Sequence, residues 1–160
     1  MTTSLCPSGV FSPAFVEGVR AIFEEKIVFN QVLGLQLMSL APTEVRARLD
    51  MKPQLVGHYA YNRMHGGVIS ASLDAIGGTA CMAALGARYI DEPINKQLAH
   101  FMNLGTIDLR IDYLRPAIGA FFEMRAEVLR LGSRVGSTRM EFFGPDGKLV
   151  ATGCGAYIVS

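Results

Sequence analysis

Residues 65–88 read HGGVISASLDAIGGTACMAALGAR, and between Gly66 and Ala87 the only charged side chain is Asp74. A run of 22 residues is long enough to cross a bilayer as a helix. Its composition argues otherwise. Five glycines, six alanines, two serines and a threonine leave seven bulkier apolar side chains, and Asp74 would sit near mid-bilayer at a cost of several kcal/mol. The stretch therefore reads as a helix buried in a protein core. Apolar on all sides, it must be covered on nearly every side, and a sheet curling around it would do that.

The flanking sequence supplies the sheet. Upstream, Ser12-Pro13 is an N-cap followed by proline at the first helical position. Phe15, Val19, Ile22 and Phe23 recur at helical spacing, which predicts an amphipathic helix over 13–29. A short strand over 35–40 follows Gly34. Over 44–51, Val45, Ala47, Leu49 and Met51 alternate with Glu44, Arg46, Arg48 and Asp50, the pattern of a half-buried strand. Downstream, 88–103 is polar and irregular. Ile107, Leu109, Ile111 and Tyr113 then alternate with polar neighbours up to Arg115-Pro116, as do Phe122, Met124, Ala126 and Val128. Runs over 135–143 and 148–159 flank Gly144-Pro145-Asp146-Gly147, a hairpin signal. The order α-β-β-α-β-β-β-β, with four closely spaced late strands, predicts one α+β domain over 1–160 built on an antiparallel sheet, with 1–12 a flexible segment.

Composition narrows the function classes. Of 160 residues, 50% are hydrophobic and only 18% charged, below the roughly 25% of ordinary soluble domains. With the membrane span set aside, an oligomer that hides surface between subunits accounts for the deficit. Fifteen basic against 14 acidic residues argue against nucleic acid or a membrane surface as partner. The N-terminus lacks the basic start and apolar core of a signal peptide. Three unpaired cysteines, Cys6, Cys81 and Cys154, fit a reducing, cytoplasmic setting. His58, His65 and His100 have no metal-binding spacing, so no metal is expected.

Two features of the long helix carry chemistry. His65-Gly66-Gly67 opens it, and the unpaired N–H groups of a first turn, backed by the helix dipole, can polarise a carbonyl; equally, the glycines could serve only a tight helix start. Asp74, alone in an apolar helix, must be paired, neutralised or used. Its helix face also carries Ser70, Ala71, Gly78 and Cys81, leaving room for a substrate or a second helix. Gly67 and Asp74 are seven residues apart, about 10 Å along the axis, too far to act on one carbonyl within a chain. If both serve one site, Asp74 comes from a second chain, with the small-residue face around Gly77-Gly78 as the meeting place of two helices.

His65-Gly66-Gly67-Val68 with an aspartate nine residues after the histidine resembles the PaaI-like branch of the hotdog-fold acyl-CoA thioesterases. So does the run from Thr106 to Ala117 that ends in Tyr113-Leu114-Arg115-Pro116; the resemblance covers about residues 30–159. It implies a sheet of about six antiparallel strands wrapped around the central helix. It also implies cofactor-free hydrolysis of acyl-CoA by homodimers or homotetramers with sites between subunits. Carried over residue by residue, Asp74 is general base or nucleophile and belongs to the partner's half of the site. The Gly67 N–H polarises the thioester carbonyl, and Thr106 places water or carboxylate. The family's water-orienting amide falls on His58 by the Gly57 anchor, or on Asn62 if the loop is re-spaced. His65 is expected to brace the loop, and Gly66 to border the substrate. Arg63, Arg88, Arg115 and Arg134 are candidate partners for the CoA phosphates, since 11 of the 15 basic residues are arginines suited to bidentate phosphate contacts. Phe101, Met102 and Met82 are candidates for setting pocket depth. A non-catalytic acyl-CoA-binding oligomer is the alternative, and a CoA-thioester dehydratase of the same fold a more distant one.

Overall fold

The uncharged run folds as a single helix, α3 (Gly66–Arg88), in a computed structural model that describes residues 10–160. The expected flexible segment, apart from its last three residues, and Cys6 lie outside the described residues. Thirteen α3 residues are buried, from Ile69 and Leu73 through Ile76, Ala80 and Leu85. Two of its buried polar side chains are satisfied within the helix: Ser72 donates to the Val68 carbonyl at 2.7 Å and Thr79 to that of Ala75 at 2.8 Å. The helix is long and apolar enough to cross a membrane, yet protein covers most of that apolar length. A core position, not a lipid-facing one, accounts for its composition.

The covering layer is a six-stranded sheet made of β1 (Leu35–Leu40), β2 (Val45–Asp50), β5 (Gly105–Tyr113), β6 (Phe121–Leu131), β7 (Val135–Phe143) and β8 (Leu149–Ile158). Its order is β1-β2-β6-β7-β8-β5, and every neighbouring pair is antiparallel. Alternation places Val45, Ala47 and Leu49 of β2 and Phe122, Met124 and Ala126 of β6 in the core, facing α3, as their sequence pattern predicts. The β7–β8 turn is closed by Gly147 in the left-handed region (φ 73), whose N–H donates to the Gly144 carbonyl. A separate two-stranded hairpin, β3 (Val56–His58) with β4 (Arg63–Met64), precedes α3.

Three segments differ from the sequence expectation. The helix expected over 13–29 begins as predicted, with Ser12 Oγ accepting the Phe15 N–H and Pro13 in the first turn. It runs only to Arg20 as α1 (Pro13–Arg20), then widens into a π-helical turn at Ala21–Lys26. The chain is extended at Ile27 and resumes as α2 (Val28–Leu33), stopped by Gly34 at φ 80. That break lets the buried Asn30 amide donate to the Phe23 carbonyl at 2.9 Å. The stretch expected to be irregular contains α4 (Ile94–Ala99). Short and polar, α4 is tied to the loop before it rather than marked by apolar periodicity: buried Gln97 donates to the carbonyls of Ile90 and Glu92, and His100 stacks on Tyr89. In β5, Ile107 is 57% exposed although the alternation points it inward. The register with β8 jumps from Thr106↔Tyr157 to Asp108↔Ala156, so Ile107 is the extra residue of a β-bulge.

Helix α1 packs onto α3 through Phe15, whose ring fills the hollow at Gly86; a Cβ at Gly86 would lie 2.1 Å from Phe15 Cζ. Gly86→Ala should therefore destabilise the fold by about 1–3 kcal/mol through overpacking, although alanine is the better helix former. Urea unfolding measures this; a variant as stable as the parent would contradict the packing described.

Candidate functional site

The first turn of α3 is built by its neighbours. His65 caps the helix from extended backbone, and its Nδ1 accepts the Gly67 N–H at 2.9 Å, which leaves the ring proton of a neutral imidazole on Nε2. The His65 N–H donates to the Leu55 carbonyl, and the Tyr113 hydroxyl donates to the Gly66 carbonyl at 2.9 Å. Gly57 of the hairpin presses against His65, since a Cβ there would lie 2.5 Å from His65 Cα. A cleft of about 560 Å³ opens beside this turn, bordered by Arg63, His65, Gly66, Tyr113 and Arg115. The Arg115 guanidinium donates to the Leu149 carbonyl at 2.6 Å, which fixes its direction.

A second centre lies two turns further along α3. Thr106 at the start of β5 donates its hydroxyl to Asp74 Oδ1 at 2.9 Å. Directly across the strand pair from Thr106 is Tyr157, whose buried ring lies between sheet and helix and whose hydroxyl donates to the Asp74 main-chain carbonyl at 3.1 Å. Burial, and after it the nearby Asp74 charge, push the Tyr157 phenol above its ordinary range, so it remains a donor. Asp74 is half-buried at the edge of a cavity of about 230 Å³ that continues over Ala75, Gly78 and Met82, with Phe29 of α2 at its rim. One carboxylate oxygen is thus held by a hydroxyl, beside an apolar hollow.

The residues singled out from the sequence divide between these centres. Asp74 and Thr106 meet; Gly66 and His65 line the other cleft with Arg63 and Arg115, and Gly67 follows them in the first turn without lining it. The two cavities share no lining residue. His58 and Asn62 belong to the hairpin beside the first cleft. His58 stacks against Tyr61 and Tyr59 with its Nδ1 buried and unpartnered, while Asn62 is exposed and left-handed at φ 47. Arg88 and Arg134 lie elsewhere: Arg88, in the last turn of α3, donates to the carbonyls of Leu131 and Gly132 in the β6–β7 turn that also carries Arg134. Of the depth-setting candidates only Met82 lines the Asp74 cavity. Phe101 packs edge-on against Phe15 in the core, and Met102 is 83% exposed.

Gly77 serves the sheet rather than a second helix, because a Cβ there would lie 2.2 Å from the Tyr157 hydroxyl. Among the described residues no group of three His, Cys, Asp or Glu side chains is placed to hold a metal ion.

A family model described as the thioesterase superfamily matches residues 61–151, which include the first turn of α3, Asp74, Thr106 and most of the sheet. The chain belongs to the thioesterase superfamily. It is 32% identical over 141 residues to the medium/long-chain acyl-CoA thioesterase YigI of Salmonella typhimurium, covering 88% of this chain and 91% of that protein. Identity to YigI of Escherichia coli K12 is 30% over the same shares of the two chains. The crystal structure of a Shewanella oneidensis protein related to the thioesterase superfamily superposes with a TM-score of 0.85 at 36% identity, over 93% of this chain and 99% of that one. Mouse thioesterase superfamily member 2 shares the fold alone, with a TM-score of 0.70 at 21% identity, over 90% and 96% of the two chains. The six-stranded sheet on a long central helix is the hotdog fold of these thioesterase structures.

Neither tyrosine has a role assigned from the sequence: Tyr113 enters only in a strand pattern and a strand-end motif, and Tyr157 lies within the run over 148–159. The available signal for Tyr157 was spatial: Gly77 on the helix and Gly155 on β8 both clear room for the same ring. Cys81, by contrast, is buried between helix and sheet, where burial pushes its thiol up to about 12. It stays protonated at neutral pH and supplies no nucleophile. A thiol-alkylating reagent at pH 8 should label exposed Cys154 and spare Cys81 until the protein is unfolded, as peptide mapping would read; rapid native labelling of Cys81 would contradict its burial.

Proposed function

We propose that this chain is a PaaI-like, cytoplasmic acyl-CoA thioesterase acting on medium- to long-chain substrates as a homodimer or homotetramer, each site being formed between two subunits. The observation that carries the reading is Asp74: a carboxylate with one oxygen held by Thr106, at the mouth of an apolar cavity. The relatives named for medium/long-chain acyl-CoA hydrolysis support it over most of the chain.

In this mechanism Asp74 is the general base. Thr106 occupies Oδ1, so Oδ2 takes a proton from a water whose oxygen attacks the thioester carbonyl carbon. The carbon–sulfur bond breaks as the tetrahedral intermediate collapses, and the proton on Asp74 passes to the departing CoA sulfur, giving free acid and thiol. Charge on the carbonyl oxygen is met by the Gly67 N–H at the positive end of α3. That N–H is donated to His65 Nδ1 without substrate. The ring therefore holds the acceptor position that the thioester oxygen takes over when it turns aside. His65 braces the turn and exchanges no proton with the substrate. Asn62 or His58, in the hairpin next to Gly67, orients the water. Arg63 and Arg115 receive the CoA phosphates along the larger cleft, where Gly66 borders the substrate.

Because Gly67 and Asp74 stand about 10 Å apart along one helix, and Gly67's neighbours His65 and Gly66 line a cavity separate from that of Asp74, the working pair comes from two chains. Edge strand β5, which carries Thr106, lies at the open side of the sheet where a second subunit would join.

Thiol release from a panel of acyl-CoAs tests the assignment. Asp74→Asn should lower kcat by at least about a hundredfold with folding and assembly retained, and Thr106→Val by about tenfold. His65→Ala should cost about 1 kcal/mol of stability through the lost cap and keep a pH–rate profile of the parent's shape. Parent-like turnover by Asp74→Asn would refute the catalytic assignment.

A further inference from the structure

We propose that Gly78 and Met82 determine the length of acyl chain this enzyme accepts, with Met82 as the end stop of the cavity that begins at Asp74. The inference rests on the thioesterase reading above and assigns specificity residues within it.

The lining shows what kind of group the cavity takes. Three of its side chains besides Asp74 and Thr106 are polar, and each donates to a main-chain carbonyl. Asn30 donates to Phe23, Thr79 to Ala75 and Tyr157 to Asp74. They therefore present carbon to the hollow, and a polar ligand would find little there to replace its hydration. Ile27 and Phe29 add apolar surface at the rim, and Phe29 is 58% exposed without a ligand. The other cleft carries Arg63 and Arg115 and suits the charged portion of a thioester ester's carrier, not its acyl tail.

The same helix face sets the length. From Asp74 outward it presents Ala75 and Gly78, neither with an atom beyond Cβ, and then Met82. Met82 is the first long side chain on that stripe and is 7% exposed. Eight residues separate Asp74 from Met82, about 12 Å of helix, the span of an extended alkyl chain of about eight to ten carbons. Gly78 lies midway. A Cβ there would be 3.5 Å from Leu104 Cδ2 and 3.7 Å from Tyr157 Cε1, ordinary contact distances, so alanine fits without displacing the fold while narrowing the channel.

The test compares kcat/KM for saturated acyl-CoAs from butyryl to palmitoyl in the parent, Gly78→Ala, Gly78→Val and Met82→Ala, with unfolding midpoints measured alongside. Met82→Ala should raise the palmitoyl-to-octanoyl ratio by about tenfold. Gly78→Val should lower the octanoyl-to-butyryl ratio by a similar factor, with Gly78→Ala falling between it and the parent. Gly78→Ala is the variant whose folding the contact distances secure. Ratios that stay at the parent value while all rates scale together would overturn the proposal. If the parent releases no thiol from any substrate, the thioesterase reading fails by itself; the same variants are then titrated with the same acyl-CoAs, and an unchanged chain-length dependence of binding would overturn the ruler separately.

Discussion

The hydrogen bond from Thr106 to Asp74 joins the two demands that the α3 sequence makes on the fold. A helix with apolar side chains all round must be wrapped, and the sheet from β1 to β5 wraps it. A carboxylate in the same helix must not be wrapped without a partner, because burying an uncompensated charge costs several kcal/mol. The sheet ends at β5, beside Asp74, and the first residues of that edge strand supply the hydroxyl. The bulge at Ile107 falls immediately after Thr106, so Thr106 keeps its cross-strand place opposite Tyr157 while the rest of β5 continues in shifted register. Edge, bulge and hydroxyl together leave one carboxylate half-exposed on an otherwise buried helix.

Two tyrosines tie this helix to the sheet at two main-chain carbonyls. Tyr113 reaches Gly66 at the first turn and Tyr157 reaches Asp74 two turns on. Both carbonyls belong to segments that the proposed chemistry uses, the N–H donors of the helix start and the base. Holding the backbone rather than the reacting atoms leaves the carboxylate free to exchange partners with water. The fixed geometry within one chain also keeps the two segments apart, which is why the proposed mechanism draws on a subunit interface.

Much of this was legible in the residues. Alternation located β2 and β6 with the correct inward faces, Ser12-Pro13 marked the start of α1, and the glycine-rich turn marked the β7–β8 hairpin. The His65-Gly66-Gly67 start of the helix and the lone Asp74 pointed to the two halves of the proposed site. What escaped was set by individual side-chain contacts that periodicity does not carry. The π-helical turn before Ile27 depends on where Asn30 finds an acceptor, and α4 on Gln97 and the Tyr89–His100 stack. A one-residue bulge leaves no mark in an alternating pattern, so Ile107 read as inward. Gly77-Gly78 read as a surface for another helix because nothing local in sequence says that a tyrosine 80 residues downstream fills the space beside Gly77.

The central claim, that Gly67 and Asp74 of one site belong to different chains, is tested most directly by subunit complementation. Asp74→Asn is mixed by unfolding and refolding with Gly67→Pro, which removes the N–H at a helix position where proline is tolerated. Each variant alone has both of its sites broken. In a mixed dimer one site recovers an intact Gly67 from one chain and an intact Asp74 from the other. Random pairing then predicts about a quarter of parental activity in the mixture. A mixture no more active than its inactive components would place both residues of a site in one chain and contradict the account.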